Sequence, residues 1–385
     1  MAAAPLRVGM VAGEASGDQL GAHLIEALKT RGRPAHFAGI GGPRMMNHGF
    51  HSHYPMEKLS VRGISEALLH YREIAGIRRQ LAQELLAERP DLFIGIYSSE
   101  FNLGLEQTLK EAGIPTIHYV SPTIWAWRRW RVRRVARAVN HILVMFPFEA
   151  PLYEKIGVPV TYVGHPLADL IPEKPPRDEA RAQLRLPSGK LVVALLPGSR
   201  RSELQHMATT FVLTAHRFRQ EVHDVHFVVP VVTRETRDIF ERALYEQQRT
   251  DLPLTLLFGH SHEALAAADM ALVASGTATL ETALFKTPMI ITYRQSPLSW
   301  HLMRSLAYLP YVGLPNVLAG ERLVPELLQD EATPAALCAA LINLLRDGDA
   351  QRRQRERFAE FHQLLRCNAA ERAADAVYKV LERRG

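Results

Sequence analysis

Apolar residues follow two alternating patterns along this chain. Short apolar runs, such as residues 6–11 and 92–96, are typical of buried strands. The segments between them, such as residues 18–30, carry apolar residues at every third or fourth position and predict amphipathic helices. Strands that alternate with helices predict an α/β fold with mostly parallel sheets. The same patterns predict further helices at 64–86, 102–112 and 125–139, and further strands at 36–40, 116–120, 142–145, 160–163, 191–196, 226–232, 254–258, 270–273 and 289–293.

The chain is long enough for two such domains. Its 385 residues are too many for one ordinary core and fit two domains of about 150–200 residues each. A polar, proline-rich stretch at residues 171–178 separates the halves. We predict Rossmann-like, doubly wound domains at residues 1–170 and 171–365, facing each other across a cleft. Residues 366–385 predict a helix whose apolar face packs back on the first domain.

Composition narrows the class of protein. Hydrophobic residues make up 47% and charged residues 22% of the chain, which is typical of a soluble globular protein. Two cysteines exclude a disulfide framework and favour a reducing compartment. We read neither a signal peptide nor a run of about 18 apolar residues and therefore expect a cytoplasmic protein. The net charge of +6 favours anionic partners such as phosphates or acidic lipids.

Two turns in the second half predict a phosphate site. In each, an apolar run leads through small residues into a helical pattern, which leaves unpaired N–H groups at a positive helix end. Arg200 could add a fixed positive charge between the two turns. Together they predict a bound diphosphate. The residues concerned are Gly198, Ser199 and Arg200 in the first turn, and Ser275, Gly276 and Thr277, with Glu281 one helical turn later, in the second.

Glycine-containing turns also follow the first two predicted strands. The first carries Ser16, Gly17 and Asp18, and Ser16 or Asp18 could cap the next helix. The second precedes Arg44, which could reach a phosphate. Neither has the glycine spacing of a dinucleotide site. For each turn, an ordinary connection between a strand and a helix is as good an interpretation as a ligand-binding one.

Two segments combine positive charge with large apolar side chains. Residues 125–137 contain six arginines and three tryptophans, a composition suited to a lipid–water interface or to stacking on nucleic acid. The segment follows a buried strand rather than forming a free basic arm, so we expect no nucleic-acid partner. Residues 64–81 predict a basic amphipathic helix that either lies on a membrane or packs on its own sheet. The candidate membrane or acceptor residues are Leu68, Leu69, Trp125, Trp127, Arg128 and Arg129.

Taken together, these segments resemble the lipid-A-disaccharide synthase family from about residue 7 to residue 380. The resemblance implies a two-Rossmann-domain (GT-B) glycosyltransferase that is cytoplasmic and peripheral on the inner membrane. It implies inverting transfer of 2,3-diacylglucosamine from UDP to 2,3-diacylglucosamine 1-phosphate, without a metal or cofactor. It further implies that Glu281 holds the ribose hydroxyls and that Asn316 contacts the donor. The matching segments are residues 12–18, 42–45, 117–122, 125–128, 195–200, 274–277 with Glu281, 314–316 and 366–369.

One departure from the family pattern concerns the candidate general base. After the strand at residues 92–96 the family reads Gly-Ile-Asp-Ala-Pro-Asp-Phe-Asn, and its first aspartate is that candidate. This chain has Tyr97 there, and a tyrosine with a pKa of about 10 is a poor base at neutral pH. Glu100 keeps a carboxylate at the second aspartate position. This chain reads Gly95-Ile96-Tyr97-Ser98-Ser99-Glu100-Phe101-Asn102.

Three interpretations of Tyr97 are open at the level of sequence. In the first, Glu100 has become the base; in the second, Asp18 is the base; in the third, the chain binds the donor but its transfer activity is weak or absent. A further alternative is another UDP-N-acetylglucosamine enzyme of the same fold, such as an epimerase or a peptidoglycan glucosamine transferase. If the base belongs in this loop, Tyr97→Asp should raise the rate.

Overall fold

Two compact units make up the chain, each built on one parallel β-sheet. The first comprises Met1–Asp169 with Leu365–Gly385, and the second comprises Leu170–Leu364. A computed structural model describes residues 5–59, 64–124, 131–296, 300, 304 and 308–383, with the backbone alone at 64–71. The predicted α/β class with two Rossmann-like domains is confirmed.

The sheet of the first unit has the strand order β3-β2-β1-β4-β5-β6-β7, with parallel pairing throughout. The order runs outward in opposite directions from β1 and β4, so the topological switch point lies between these two strands. The strands are β1 (Leu6–Ala12), β2 (Ala35–Gly41), β3 (Phe50–Pro55), β4 (Leu92–Ile96), β5 (Thr116–Tyr119), β6 (His141–Val144) and β7 (Val160–Tyr162).

The C-terminal helix belongs to the first unit, where it packs against α1 as the apolar pattern predicts. Arg31 at the end of α1 forms ion pairs with Asp375 at 2.5 Å and Glu371 at 3.1 Å. The described helices of this unit are α1 (Ala15–Thr30), α2 (Pro43–Asn47), α3 (Ile64–Glu88), α4 (Ser99–Glu111), α5 (Val132–Ala138), α6 (Ala150–Glu154), the start of α7 (Pro166–Leu170) and α16 (Ala369–Glu382).

The sheet of the second unit repeats the same topology. Its order is β10-β9-β8-β11-β12-β13, again parallel, with the switch point between β8 and β11. Phe211, Phe218, Phe227 and Phe240 are fully buried in its core. The strands are β8 (Leu191–Leu196), β9 (Val225–Val231), β10 (Leu254–Phe258), β11 (Met270–Ala274), β12 (Met289–Tyr293) and β13 (Glu326–Leu328). The described helices are α8 (Arg177–Gln183), α9 (Arg201–Glu221), α10 (Arg234–Glu246), α11 (Ser261–Ala267), α12 (Thr277–Leu284), α13 (Leu314–Ala319), α14 (Pro334–Arg346) and α15 (Gly348–Leu365).

Two edge strands, β3 and β13, escape the sequence pattern. β3 reads Phe-His-Ser-His-Tyr-Pro, and only its first residue is buried. β13 has three residues and pairs on one side alone. An edge strand needs no continuous apolar run, and these two carry none of the signal that identifies the central strands. Of the predicted helix at 125–139, residues 125–130 lie outside the described part of the chain, and the helix spans Val132–Ala138 in the remainder.

Candidate functional site

Each unit has loops at the carboxyl ends of its central strands, where doubly wound sheets bind ligands. In the first unit the loop after β1 holds Gly13 and Glu14, and the loop after β4 holds Tyr97 and Ser98. In the second unit the corresponding turns follow β8 and β11 and contain the predicted diphosphate-binding residues. The sequence therefore places its candidate residues at both switch points.

The turn after β4 has an unusual backbone. Tyr97 and Ser98 are consecutive residues with φ of +52° and +41°, and Val120, at the end of the neighbouring β5, has φ of +81°. Such conformations are uncommon for side chains of this size and cost on the order of 1–3 kcal/mol each. Strain of this kind persists where the surrounding structure holds it, and it concentrates at functional sites.

Asn102 holds the turn after β4 in place. Its side chain is fully buried, and its amide donates to the carbonyl oxygens of Tyr97 at 3.0 Å, Val11 at 3.3 Å and Ile96 at 3.4 Å. These contacts join the ends of β1 and β4 to the first turns of α4. The turn is also tightly packed, because a Cβ atom at Gly13 would lie 2.3 Å from Ser98 Oγ.

Tyr97 cannot supply a base at neutral pH. Burial raises the pKa of its phenol well above the ordinary value, and the negative charges of Glu14 and Glu149 raise the pKa further. A phenol that stays protonated cannot take a proton from an attacking hydroxyl.

Glu100 is also a weak candidate base. Partial burial acts to raise its pKa, but hydrogen bonds and charges from Arg131 and Arg134 outweigh this and lower the pKa overall. The carboxylate is 70% exposed, pairs with Arg131 and lies 3.2 Å from Arg134 Nη1. A carboxylate held in its charged form by two guanidinium groups has little affinity for a proton.

The role of Asp18 in the structure differs from the two predicted for it, the cap of its own helix α1 and the general base. Its buried carboxylate accepts backbone N–H groups from Gly42 at 2.9 Å, Arg44 at 3.0 Å and Met45 at 2.9 Å. It therefore caps the N-terminus of α2 rather than its own helix, and the hydrogen bonds occupy both carboxylate oxygens. This geometry disfavours the interpretation of Asp18 as general base.

A chain of buried polar side chains, which no sequence motif indicated, lies next to the turn after β4. His118, on β5, places Nδ1 2.7 Å from Glu106 Oε1 on α4, and both side chains are fully buried. Its Nε2 lies 3.3 Å from Oγ of Ser99, the first residue of α4 and a partly buried side chain. Residues that are 7 to 19 positions apart in sequence form this chain, so no local spacing signals it.

The turn after β8 presents Arg200 to solvent. Gly198 has φ of +123°, and a Cβ atom there would lie 2.7 Å from the Cβ of Glu203. The Glu203 carboxylate accepts the N–H groups of Ser199 at 3.0 Å and Arg200 at 3.2 Å. These bonds cap α9 and leave the Arg200 side chain 79% exposed. The prediction of unpaired N–H groups in this turn is therefore wrong for Ser199 and Arg200. The Arg200 side chain, with Nη1 3.6 Å from Glu203 Oε1, is the group that faces solvent at this switch point.

The turn after β11 leads into α12 with its N-terminus accessible. Gly276 has φ of +148°, and no atom lies within 4 Å of the position that a Cβ would take. Ser275 and Thr277 flank it, partly buried and exposed respectively. The open space and the helix N-terminus form a cradle suited to an anion.

Glu281 lies one turn further along α12 with a 22% exposed side chain. Burial raises the pKa of its carboxyl, and the nearby charge of His262 opposes the rise. The distance from His262 Nε2 to Glu281 Oε2 is 4.0 Å. The carboxylate is thus a partly desolvated hydrogen-bond acceptor beside the cradle.

Asn316 differs from the expectation of a direct donor contact. Its fully buried amide donates to Val324 O and Glu326 Oε1, both at 2.8 Å, and its carbonyl oxygen accepts from Val324 N–H at 2.8 Å. Glu326 in turn accepts the Gly313 N–H at 2.9 Å. Asn316 therefore braces the segment around Gly313 instead of presenting its amide to a ligand.

The remaining predicted acceptor residues are only partly located. Ser16 and Arg44 are exposed on α1 and α2, while Gly17 is buried against the ends of β1 and β4. Trp125, Trp127, Arg128 and Arg129 lie outside the described residues, as do the side chains of Leu68 and Leu69. A pocket of about 540 Å³ near α3 is lined by Tyr54, Lys58, Glu73, Gly76, Ile77, Arg79 and Gln80.

The described part of the chain contains neither a membrane-spanning helix nor a cluster of metal-ligating side chains. No helix there is long and apolar enough to cross a bilayer. No group of three or more His, Cys, Asp or Glu side chains in that part could hold a metal ion.

Sequence comparison gives matches over nearly the whole chain. Residues 8–380 match the family model described as lipid-A-disaccharide synthetase. The chain is 58% identical over 377 residues to a lipid-A-disaccharide synthase of Dechloromonas aromatica, covering 98% of this chain and 99% of that protein. It is 52% identical over 375 residues to one of Methylobacillus flagellatus, covering 97% and 99%.

Structural comparison gives the same architecture at low sequence identity. The structure of MurG from Acinetobacter baumannii superposes with a TM-score of 0.59 at 14% identity, covering 98% of this chain and 100% of that one. The HepE structure from Anabaena, in complex with UDP and glucose, superposes with a TM-score of 0.59 at 14% identity and the same coverage. These similarities establish the GT-B fold.

Proposed function

The chain belongs to the lipid-A-disaccharide synthase family, and from this premise we propose that it transfers 2,3-diacylglucosamine from UDP to the 6-hydroxyl of 2,3-diacylglucosamine 1-phosphate. The products are the β-1,6-linked lipid A disaccharide 1-phosphate and UDP, formed with inversion at the anomeric carbon. The observation that carries the proposal is the family match over residues 8–380, which spans both switch points.

The second unit is the donor half in this proposal. The UDP diphosphate binds at the open N-terminus of α12, where Gly276 and Thr277 present their N–H groups. Ser275 lies beside them, and its own N–H donates to Thr292 O at 2.9 Å. Arg200 neutralises charge that develops on the leaving diphosphate, so the chemistry asks for no metal ion. Glu281 accepts hydrogen bonds from the ribose hydroxyls. The exposure of Arg200 and the empty space at Gly276 support this arrangement.

The first unit is the acceptor half. The attacking sugar hydroxyl binds near the turn after β4, and its phosphate is held by exposed arginines such as Arg44. Because both substrates carry acyl chains, the protein works at the inner-membrane surface. Its proposed membrane contacts are the apolar and arginine–tryptophan segments that contain Leu68, Leu69, Trp125 and Trp127.

Product analysis tests the proposed substrate class. The purified chain is supplied in detergent with the acylated donor and acceptor, or with unacylated UDP-N-acetylglucosamine in place of the donor. We expect UDP and disaccharide phosphate in equal amounts from the acylated pair, with a β linkage by NMR. Turnover confined to unacylated UDP-N-acetylglucosamine would contradict the proposal and indicate another enzyme of the same fold.

A further inference from the structure

Ser99, His118 and Glu106 form a continuous chain from the partly buried surface of α4 into the core. The Nδ1–Oε1 contact of His118 and Glu106 is 2.7 Å, and the Nε2–Oγ contact of His118 and Ser99 is 3.3 Å. Glu106 Oε2 has no hydrogen-bond partner among the described residues. A buried histidine–glutamate pair is costly without a function or full pairing.

Burial raises the pKa of the Glu106 carboxyl, and the charge and hydrogen bond of His118 oppose the rise. The relay requires the ionised form of Glu106, which sets the direction of the hydrogen bonds. With Glu106 ionised, Nδ1 of His118 must carry the proton that it donates to Oε1. Nε2 is then the acceptor, and the Ser99 hydroxyl donates to it. Ser99 Oγ thereby gains the ability to accept a proton from a ligand as it passes its own proton inward.

One member of this arrangement, Ser99, distinguishes the chain from its family pattern, whereas His118 lies in a segment that matches the family. That pattern has aspartate where this chain has Tyr97, and proline, which carries no hydroxyl, where it has Ser99. The chain thus lacks the carboxylate of the candidate base and has a hydroxyl two residues away, within reach of His118.

We propose, resting on the proposed function, that Ser99, His118 and Glu106 are the proton relay that deprotonates the acceptor hydroxyl in this chain. Ser99 is the catalytic residue that touches the acceptor, and His118 and Glu106 act through it. The relay takes the place of the aspartate that the family pattern has at position 97.

The proposed transfer is a single displacement at the anomeric carbon. The acceptor oxygen forms a bond to the anomeric carbon while the bond from that carbon to the diphosphate oxygen breaks, and its electron pair leaves with UDP. The acceptor proton moves to Ser99 Oγ as the Ser99 proton moves to His118 Nε2. The resulting imidazolium is stabilised by Glu106 and returns the proton to water through Ser99 after product release.

Substitution of Ser99 is the first test. We expect Ser99→Ala to lower kcat about 10²-fold, with little change in KM, because a general base contributes 10²–10⁴-fold. Ser99→Thr keeps the hydroxyl and should recover most of the activity. The matched control is Thr108→Ala on the same helix, whose exposed side-chain hydroxyl donates to Gly104 O at 3.1 Å.

A second background separates chemistry from structure. Tyr97→Asp restores a carboxylate, and aspartate tolerates the left-handed conformation at this position better than tyrosine does. In that background we expect Ser99→Ala to change kcat less than about threefold, because the aspartate introduced at position 97 is then the base. His118→Gln, checked by its thermal midpoint, should follow the same pattern.

The outcomes distinguish the relay from the proposed function. Equal losses for Ser99→Ala in both backgrounds would show a structural role and overturn the relay. An inactive natural chain beside an active Tyr97→Asp variant would also overturn the relay while leaving the substrate assignment intact. If neither the natural chain nor the Tyr97→Asp variant releases UDP from the acylated pair, the proposed function itself is contradicted. An α-linked product would replace the relay with covalent attack by Ser99.

Discussion

At the scale of single residues, local environment decides which side chains can do chemistry. Tyr97 lies in the turn after β4 and Glu100 at the start of α4, three residues on, but burial raises the pKa of the first and two arginines lower that of the second. Neither is suited to take a proton at neutral pH. The sequence shows residue types at these positions, whereas the charges that surround them come from α5 and from distant loops.

Arg200 provides a prediction about the leaving group. We expect Arg200→Ala to lower kcat/KM about 10²-fold, because loss of a donor aimed at developing charge has an effect of this size. The matched control is Arg201→Ala, since Arg201 is exposed and pairs with Glu235 at 3.0 Å. Steady-state UDP release measures both, and equal effects at the two positions would remove Arg200 from the donor site.

Glu281 provides a prediction about nucleotide binding. We expect Glu281→Ala to weaken UDP binding about 10- to 100-fold, because hydrogen bonds to a charged group contribute roughly 1.5–3 kcal/mol. Isothermal titration calorimetry with UDP measures the change. Glu263→Ala on the neighbouring α11 is the control, and unaltered affinity in Glu281→Ala would contradict the ribose contact.

At the scale of elements, the turns between strands and helices position the site. The apolar pattern located β1, β4, β8 and β11, and with them both switch points, because buried parallel strands are nearly continuous apolar runs. It could not show that Asp18 caps α2, because the two are more than twenty residues apart. It also could not identify the pairing of His118 with Glu106, because these residues are 12 positions apart on a strand and a helix, and no local spacing relates them.

Asp18 provides a prediction at this scale. Asp18→Asn replaces one of the two oxygens that accept the three N–H groups with an amide NH₂, which cannot accept. We expect the free energy of unfolding to fall by about 2–4 kcal/mol. The folded fraction should keep kcat within about threefold. Urea unfolding and UDP release measure these effects, with exposed Glu26→Gln on α1 as the control. Unchanged stability with lost turnover would instead support Asp18 as the base.

At the scale of the whole molecule, two buried histidines couple stability to pH. Burial lowers the pKa of His165 to about 4, and burial with the charges of Arg383 and Lys379 lowers that of His141 to about 4, from 6.5. Between these values the unfolded chain binds more protons than the folded one. The contribution of these two histidines to the free energy of unfolding is therefore fully present above pH 6.5 and is lost as the pH drops towards 4.

The corresponding prediction concerns acid unfolding. Each histidine should contribute at most about 3 kcal/mol of the loss. His165→Asn keeps an acceptor for the Leu167 N–H, and His141→Gln keeps an amide near Thr161 Oγ1, so neither removes its hydrogen bond. Both should flatten the pH dependence of the urea midpoint, whereas exposed His223→Gln should not. Parallel curves for all variants would contradict the linkage.

The most direct measurement for the whole account is the rate of UDP release by the natural chain with the acylated donor and acceptor, beside its Tyr97→Asp variant. We predict that the natural chain turns over at a rate within about tenfold of the variant, because Ser99 and His118 supply the missing base. Release of UDP by the variant alone, with the natural chain folded and inactive, would contradict that account.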